Sequence, residues 1–180
     1  MKPIFFVLAA CSLPAIAADP SATPADDITG QHKYAERWRI LVDLDQDGHD
    51  DMLLGNPQTS GNSGMAWDVY LHRNNDFRRI GDLWAHRKAI SFEKVAGEAH
   101  EGVLARVWVY VRGGVGTGRF GYHLLKEDAV EKLAAIGIYP NQGGIGESIY
   151  KATFEKSPIP CKKEYSKTAE DGTVTWIAEK

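Results

Sequence analysis

The stretch Trp38-Arg39-Ile40-Leu41-Val42-Asp43-Leu44-Asp45-Gln46-Asp47-Gly48-His49-Asp50-Asp51-Met52-Leu53-Leu54-Gly55 holds an acidic loop between two short apolar runs. Counted from Asp43, carboxylates fall at positions 1, 3, 5 and 9 (Asp43, Asp45, Asp47, Asp51), and position 6 is Gly48. Like charges folded into one turn repel; at ~5 Å and an effective dielectric of ~20 each pair costs on the order of 3 kcal/mol. A hard divalent cation removes that cost. Ca²⁺ takes six to eight oxygens, alternate residues of a tight loop supply them, and the glycine permits the sharp turn. The expected ligands are the side chains of Asp43, Asp45, Asp47 and Asp51 with the main-chain carbonyl of His49, while Asp50 faces solvent. The bland alternative is a solvated acidic turn.

The flanks decide which kind of loop this is. An EF-hand needs a bidentate Glu at position 12 and a helix on either side. Position 12 is Leu54. Trp38 to Val42 and Met52 to Leu54 favour strand, and Gly55-Asn56-Pro57 is turn chemistry. The loop therefore joins two strands. Downstream, the aromatic and apolar runs Trp67-Asp68-Val69-Tyr70-Leu71 and Phe77-Arg78-Arg79-Ile80 flank Arg73-Asn74-Asn75-Asp76.

From Trp38 to Leu83 the chain resembles an FG-GAP/VCBS-type repeat: a strand, an Asp-rich DxDxDG loop, a second strand ending in glycine, then an aromatic hairpin. The resemblance implies Ca²⁺ in the loop, held by Asp43, Asp45, Asp47 and Asp51, and a blade-like hairpin of the kind that builds β-propellers. It covers about one quarter of the chain.

A weaker internal repeat follows. Trp67 to Ile80 lines up with Phe120 to Leu133 at an offset of 53 residues, each copy preceded by a glycine-rich run, Ser60 to Gly64 and Gly113 to Gly118. Two or three such units do not close a propeller of four or more blades. The expected fold is mainly β and antiparallel: blade-like hairpins in a compact single domain over residues 34–180, as an open sheet or a sandwich. Lys88 to Val95 and Thr173 to Ile177 read as further strands, the latter as a closing edge. In Val103 to Val111, Val107, Val109 and Val111 alternate with Trp108 and Tyr110, so this strand is central and covered on both faces. Lys126 to Ile136 reads equally as a short helix, since Val130, Leu133 and Ile136 have helical spacing in a helix-forming composition.

The N-terminus reads as a signal peptide over residues 1–17. Lys2 is followed by the apolar run Ile4 to Ala10 and the small-x-small site Ala15-Ile16-Ala17. Leu8-Ala9-Ala10-Cys11 offers a second reading, a lipobox that leaves a lipid-anchored Cys11. Residues 18–33 are a polar linker, and the apolar run is too short to span a bilayer. Either reading places the mature chain in the periplasm or outside the cell. Loss of Lys2 with the leader takes the formal charge from −3 to −4, which argues against nucleic acid or an anionic membrane as partner. Cleavage after Ala17 leaves Cys161 as the one cysteine, read as a loop thiol.

Other motifs carry less. Gly116-Thr117-Gly118-Arg119-Phe120-Gly121 spells G-x-G-x-x-G, but no second βαβ unit accompanies it, so it reads as a glycine turn. The six histidines have no zinc spacing, and no G-x-S-x-G elbow is present. The five tryptophans read as core or half-buried. The sequence thus points to an exported, non-enzymatic, calcium-binding β-domain that binds another macromolecule, for instance as an inhibitor or immunity-type protein of a periplasmic toxin. The rival is a small hydrolase with a structural calcium, which needs His100, Glu101 or His123 to gather near the loop.

Overall fold

The computed structural model describes residues 37–55, 59–95, 102–114, 117–138, 144–155 and 157–179. The leader, Cys11 and the linker lie outside the described residues, as do His100 and Glu101.

Among the described residues ten strands and one helix follow in chain order: β1 Trp38–Val42, β2 Asp51–Gly55, β3 Met65–Arg73, β4 Asp76–Ala85, β5 Ile90–Lys94, β6 Val103–Arg112, β7 Gly118–Lys126, β8 Val130–Ile138, α1 Gly144–Phe154, β9 Cys161–Thr168 and β10 Val174–Ala178. They build two antiparallel sheets, one ordered β10-β9-β1-β2-β3-β4 and the other β5-β6-β7-β8. Each sheet contains a four-stranded meander, β1 to β4 and β5 to β8. No barrel closes.

One core joins the sheets into a single domain. Ile40, Leu53, Trp67, Val69, Leu71 and Leu83 of the first sheet pack in one cluster with Ile90, Phe92, Val107, Val109 and Leu125 of the second. The alternation that predicts strands places these residues: Trp67, Val69 and Leu71 point at the other sheet, and Tyr70 joins Met52 and Leu54 on the opposite face. The two-residue turn of the β3–β4 hairpin is Asn74-Asn75, with φ of 54° and 64°. Two successive positive φ values make the tight hairpin turn whose twist matches the flanking strands, and Asn tolerates them well.

The repeat is visible in the ladders. The β3–β4 register shifts between Val69 and Tyr70, skipping Ile80. The β7–β8 register shifts between Tyr122 and His123, skipping Leu133. Positions 69 and 122, and positions 80 and 133, each lie 53 apart, so the two hairpins carry a bulge at the same place.

Two sequence expectations change. Lys126 to Ile136 holds the end of β7, a turn and most of β8, and is not a helix. The bulge at Leu133 inserts one residue into the strand, and the resulting odd spacing imitates helical periodicity. The helix lies further on, at Gly144–Phe154. Its Tyr150 and Phe154, four residues apart, pack against Phe120 at 6.5 and 5.4 Å between centroids, and Glu147 pairs with Lys151 at 2.8 Å. Cys161 is a strand residue, paired with Val42 and half-buried; burial raises its thiol pKa, which keeps it protonated and slow to react. The G-x-G-x-x-G stretch runs into β7, with the Tyr110 ring standing where a Cβ of Gly118 would go, so no helix N-terminus faces a phosphate there.

Candidate metal centre

The loop between β1 and β2 brings three of the expected ligands together. One carboxylate oxygen from each of Asp43, Asp45 and Asp47 lies within 4.8 Å of the others. Main-chain amides hold them. Asp43 accepts from Asp47 N at 3.1 Å and from Gly48 N at 3.1 Å. Asp45 accepts from Asp47 N at 3.2 Å, and Asp47 from His49 N at 2.8 Å. Gly48 has φ of +90° with open space around its Cβ position; the backbone angle, rather than crowding, asks for glycine.

The donor set fits a hard cation. An ionised carboxylate oxygen that accepts one amide keeps a second lone pair for a metal, the three side chains alternate along the loop, and all ligands are oxygen. Asp43 and Asp45 are half-buried and Asp47 is exposed, so the cluster opens to solvent on one side.

Asp51 does something different from the other three. It is buried, at 1% exposure. One carboxylate oxygen accepts from Leu44 N at 3.0 Å and the other from His72 N at 2.8 Å. It thereby staples the loop to the end of β3 and lies outside the Asp43/Asp45/Asp47 cluster. Burial raises its pKa to about 6, against the lowering pull of those two amides. His49 is exposed, with its ring 5.2 Å from that of His72. Asp50 is exposed as expected and pairs with Lys162 at 3.2 Å.

Sequence reasoning missed Arg73, the residue at the end of β3. Its Nη2 lies 2.7 Å from Asp45 Oδ2, and its Nη1 lies 3.9 Å from Asp51 Oδ1. The same guanidinium donates to both carboxylate oxygens of Glu127, at 3.0 and 2.9 Å, and holds that carboxyl below its usual pKa. Arg78 joins at 2.7 Å. Lys94 of β5 donates to Gln46 at 2.6 Å. The acidic loop is therefore tied to the second sheet at two points and carries an internal counter-charge. In sequence Arg73 lies 18 residues past Gly55, the last residue of β2, and only the folded hairpin brings it back.

The hydrolase reading finds no support in the position of His123, which lines a cleft at β4 and β8 whose walls include none of the loop residues. Among the described residues no helix is long and apolar enough to cross a membrane.

No known family matches the chain in sequence, and no curated protein matches it. Among solved structures the chain is similar to one described as "Structure of a Xanthomonas Type IV Secretion System related protein", at 15% identity and a TM-score of 0.33. The match covers 78% of this chain and 58% of that one.

Proposed function

We propose that the loop binds Ca²⁺ through Asp43, Asp45 and Asp47 with the His49 carbonyl, and that the protein is an exported, non-enzymatic β-domain that binds a macromolecular partner. The observation that carries the metal reading is the gathering of three alternating carboxylates within 4.8 Å around a glycine turn. Asp51, read from sequence as a fourth ligand, serves in this proposal as the anchor that holds the loop shut on β3. The resemblance to FG-GAP/VCBS-type repeats is supported by two four-stranded meanders sharing one bulge position. Export and partner binding rest on the leader-like N-terminus and on the size and charge of the chain. An inhibitor or immunity-type role is the partner class this reading favours.

The role of the ion is structural. At ten times its dissociation constant, Ca²⁺ adds about 1.4 kcal/mol to the folded state. Thermal melting in EDTA and then in excess Ca²⁺ is expected to show a rise for the wild type and none for Asp45→Ala. Equal melting temperatures for the wild type in both buffers reject the ion. Copurification from periplasmic extract with mass spectrometry tests the partner; recovery of the chain alone rejects it.

A further inference from the structure

Away from the loop, a cleft of about 410 Å³ opens where the first sheet ends at β4 and leaves part of the inner face of β6, β7 and β8 uncovered. That volume suits a small organic molecule. Its walls are apolar where Leu83, Val109 and Val111 meet, and Trp84, 40% exposed, offers a ring at the mouth. Along β7, Arg119, Gly121 and His123 share the face that lines it. Gly121 lets two side chains close over the strand: a Cβ there would stand 2.8 Å from Val109 Cγ2 and 3.1 Å from His123 Nε2.

His123 is 8% exposed and makes no hydrogen bond to a described residue. Its ring nitrogens are not sealed from solvent and line the cleft, where a ligand can meet them. Burial first, then Lys132, lowers its pKa, so near neutral pH it is an uncharged donor and acceptor. Lys132 faces His123 across the β7–β8 ladder. Neither Lys132 nor Arg119 has an ion pair among the described residues, and both are exposed. The opposing carboxylate at the rim, Asp82, is engaged by Arg79 at 3.2 Å. The cleft thus combines two unpaired cations, an unpartnered imidazole, an apolar floor and an aromatic wall.

We propose that this cleft binds a small monocarboxylate with an apolar, ring-bearing body, its carboxylate between Arg119 and Lys132 and its ring against Trp84. The carboxylate gains charge-assisted hydrogen bonds from two exposed cations at the rim, and the body lies against the apolar wall of Leu83, Val109 and Val111. This site is independent of the metal loop.

The test is a titration of the mature chain with 4-phenylbutyrate, read by ¹H–¹⁵N NMR, beside the same titration with 4-phenylbutanol. Saturable shifts are expected at Gly121, His123 and the Trp84 indole, with the alcohol binding about tenfold more weakly, the loss that goes with one charged contact. The double substitution Arg119→Gln with Lys132→Gln touches only exposed side chains; it is expected to leave the melting temperature unchanged and weaken the acid about tenfold. Absence of saturable shifts, shifts confined to residues outside the cleft, equal binding of acid and alcohol, or undiminished binding by the double variant would each overturn the proposal.

Discussion

Set over one another at an offset of 53 residues, the meander β1 to β4 and the meander β5 to β8 match strand for strand. Yet equivalent residues face opposite ways with respect to the interface between them. Trp67 and Leu71 of the first point into the shared core. The counterpart of Trp67 on β7, Phe120, points outward and packs under α1 with Tyr110. On the second sheet the core is reached by Val107, Val109 and Leu125 instead. The two sheets therefore stack front to back, as successive members of a series, and not face to face about a two-fold axis. The consequence is unequal burial at matched positions: Leu83 is 3% exposed and its counterpart Ile136 is 58% exposed; Ile80 is 8% and Leu133 is 49%. The same apolar pattern is core in one copy and surface in the other.

The largest effect expected from this difference is in stability. Leu83→Ala opens a cavity in a packed interior and is expected to cost about 2–5 kcal/mol. Ile136→Ala removes a mostly solvated side chain and is expected to change stability by no more than about 0.5 kcal/mol. Urea unfolding of the two variants measures both. Similar losses would mean that the outer face of the second sheet is covered in solution, and the front-to-back stack would have to be extended.

This asymmetry also marks where the sequence was legible. The repeat resemblance placed a hairpin around Arg73-Asn74-Asn75-Asp76, and the strands there keep the alternation of Trp67, Val69 and Leu71 because a half-buried strand writes its two faces into its residues. The repeat was readable for the same reason, since both copies keep the apolar positions. Which of two identical patterns faces the partner sheet is decided by stacking order, a tertiary fact that Phe120 does not carry locally. Lys126 to Ile136 misled because a bulge at Leu133 broke the period of two and because Lys, Glu, Leu and Ala favour helix until ladder pairing overrides them. In the loop, Asp43, Asp45 and Asp47 were legible as a set. That Asp51 turns inward depended on His72, 21 residues away.

The two meanders also bury titratable groups of opposite response. In the first, Asp51 has a pKa raised to about 6 by burial. The folded state holds this proton more tightly than the unfolded chain, so the group stabilises the fold below pH ~3.8, and the contribution is lost as pH rises through about 6, on the order of 3 kcal/mol in all. A ¹³C carboxyl titration in EDTA is expected to put the Asp51 midpoint near 6; a midpoint below 4 contradicts its burial. In the second meander the pKa of His123 is lowered. The unfolded chain takes up this proton first, so stability falls as pH drops below about 6.5. His123→Gln is expected to remove that part of the acid slope, gaining on the wild type between pH 7 and pH 5 in paired denaturation curves.

A smaller effect separates the copies by metal. The second meander has Ala96, Glu98 and His100 where the first has Asp43, Asp45 and Asp47, so added Ca²⁺ is expected to slow amide exchange in β1 and β2 and to leave β5 and β6 nearly unchanged. At tenfold excess over the dissociation constant the gain of about 1.4 kcal/mol corresponds to roughly tenfold slower exchange for amides that exchange through local opening of the loop and its two strands. Uniform slowing in both meanders would mean that the ion acts on the whole domain through the contacts of Lys94 and Arg73.

The smallest effect concerns Arg73 itself. Its counterpart, Lys126, makes an ion pair with Glu131 at 2.5 Å inside its own hairpin. Arg73 instead spans the meanders, from Asp45 to Glu127. In the proposed holo state a cation and this guanidinium compete for the Asp45 carboxylate, so each binds at the expense of the other. Arg73→Gln is expected to lower stability in EDTA by about 0.5–1 kcal/mol, the scale of a partly exposed pair, and to tighten Ca²⁺ several-fold, since the metal no longer displaces a charge. Lys126→Gln is expected to do neither. Calorimetric titration decides the matter: a Ca²⁺ affinity unchanged by Arg73→Gln would show that the ion does not draw on Asp45, and would move the proposed ligand set to Asp43 and Asp47 with the His49 carbonyl.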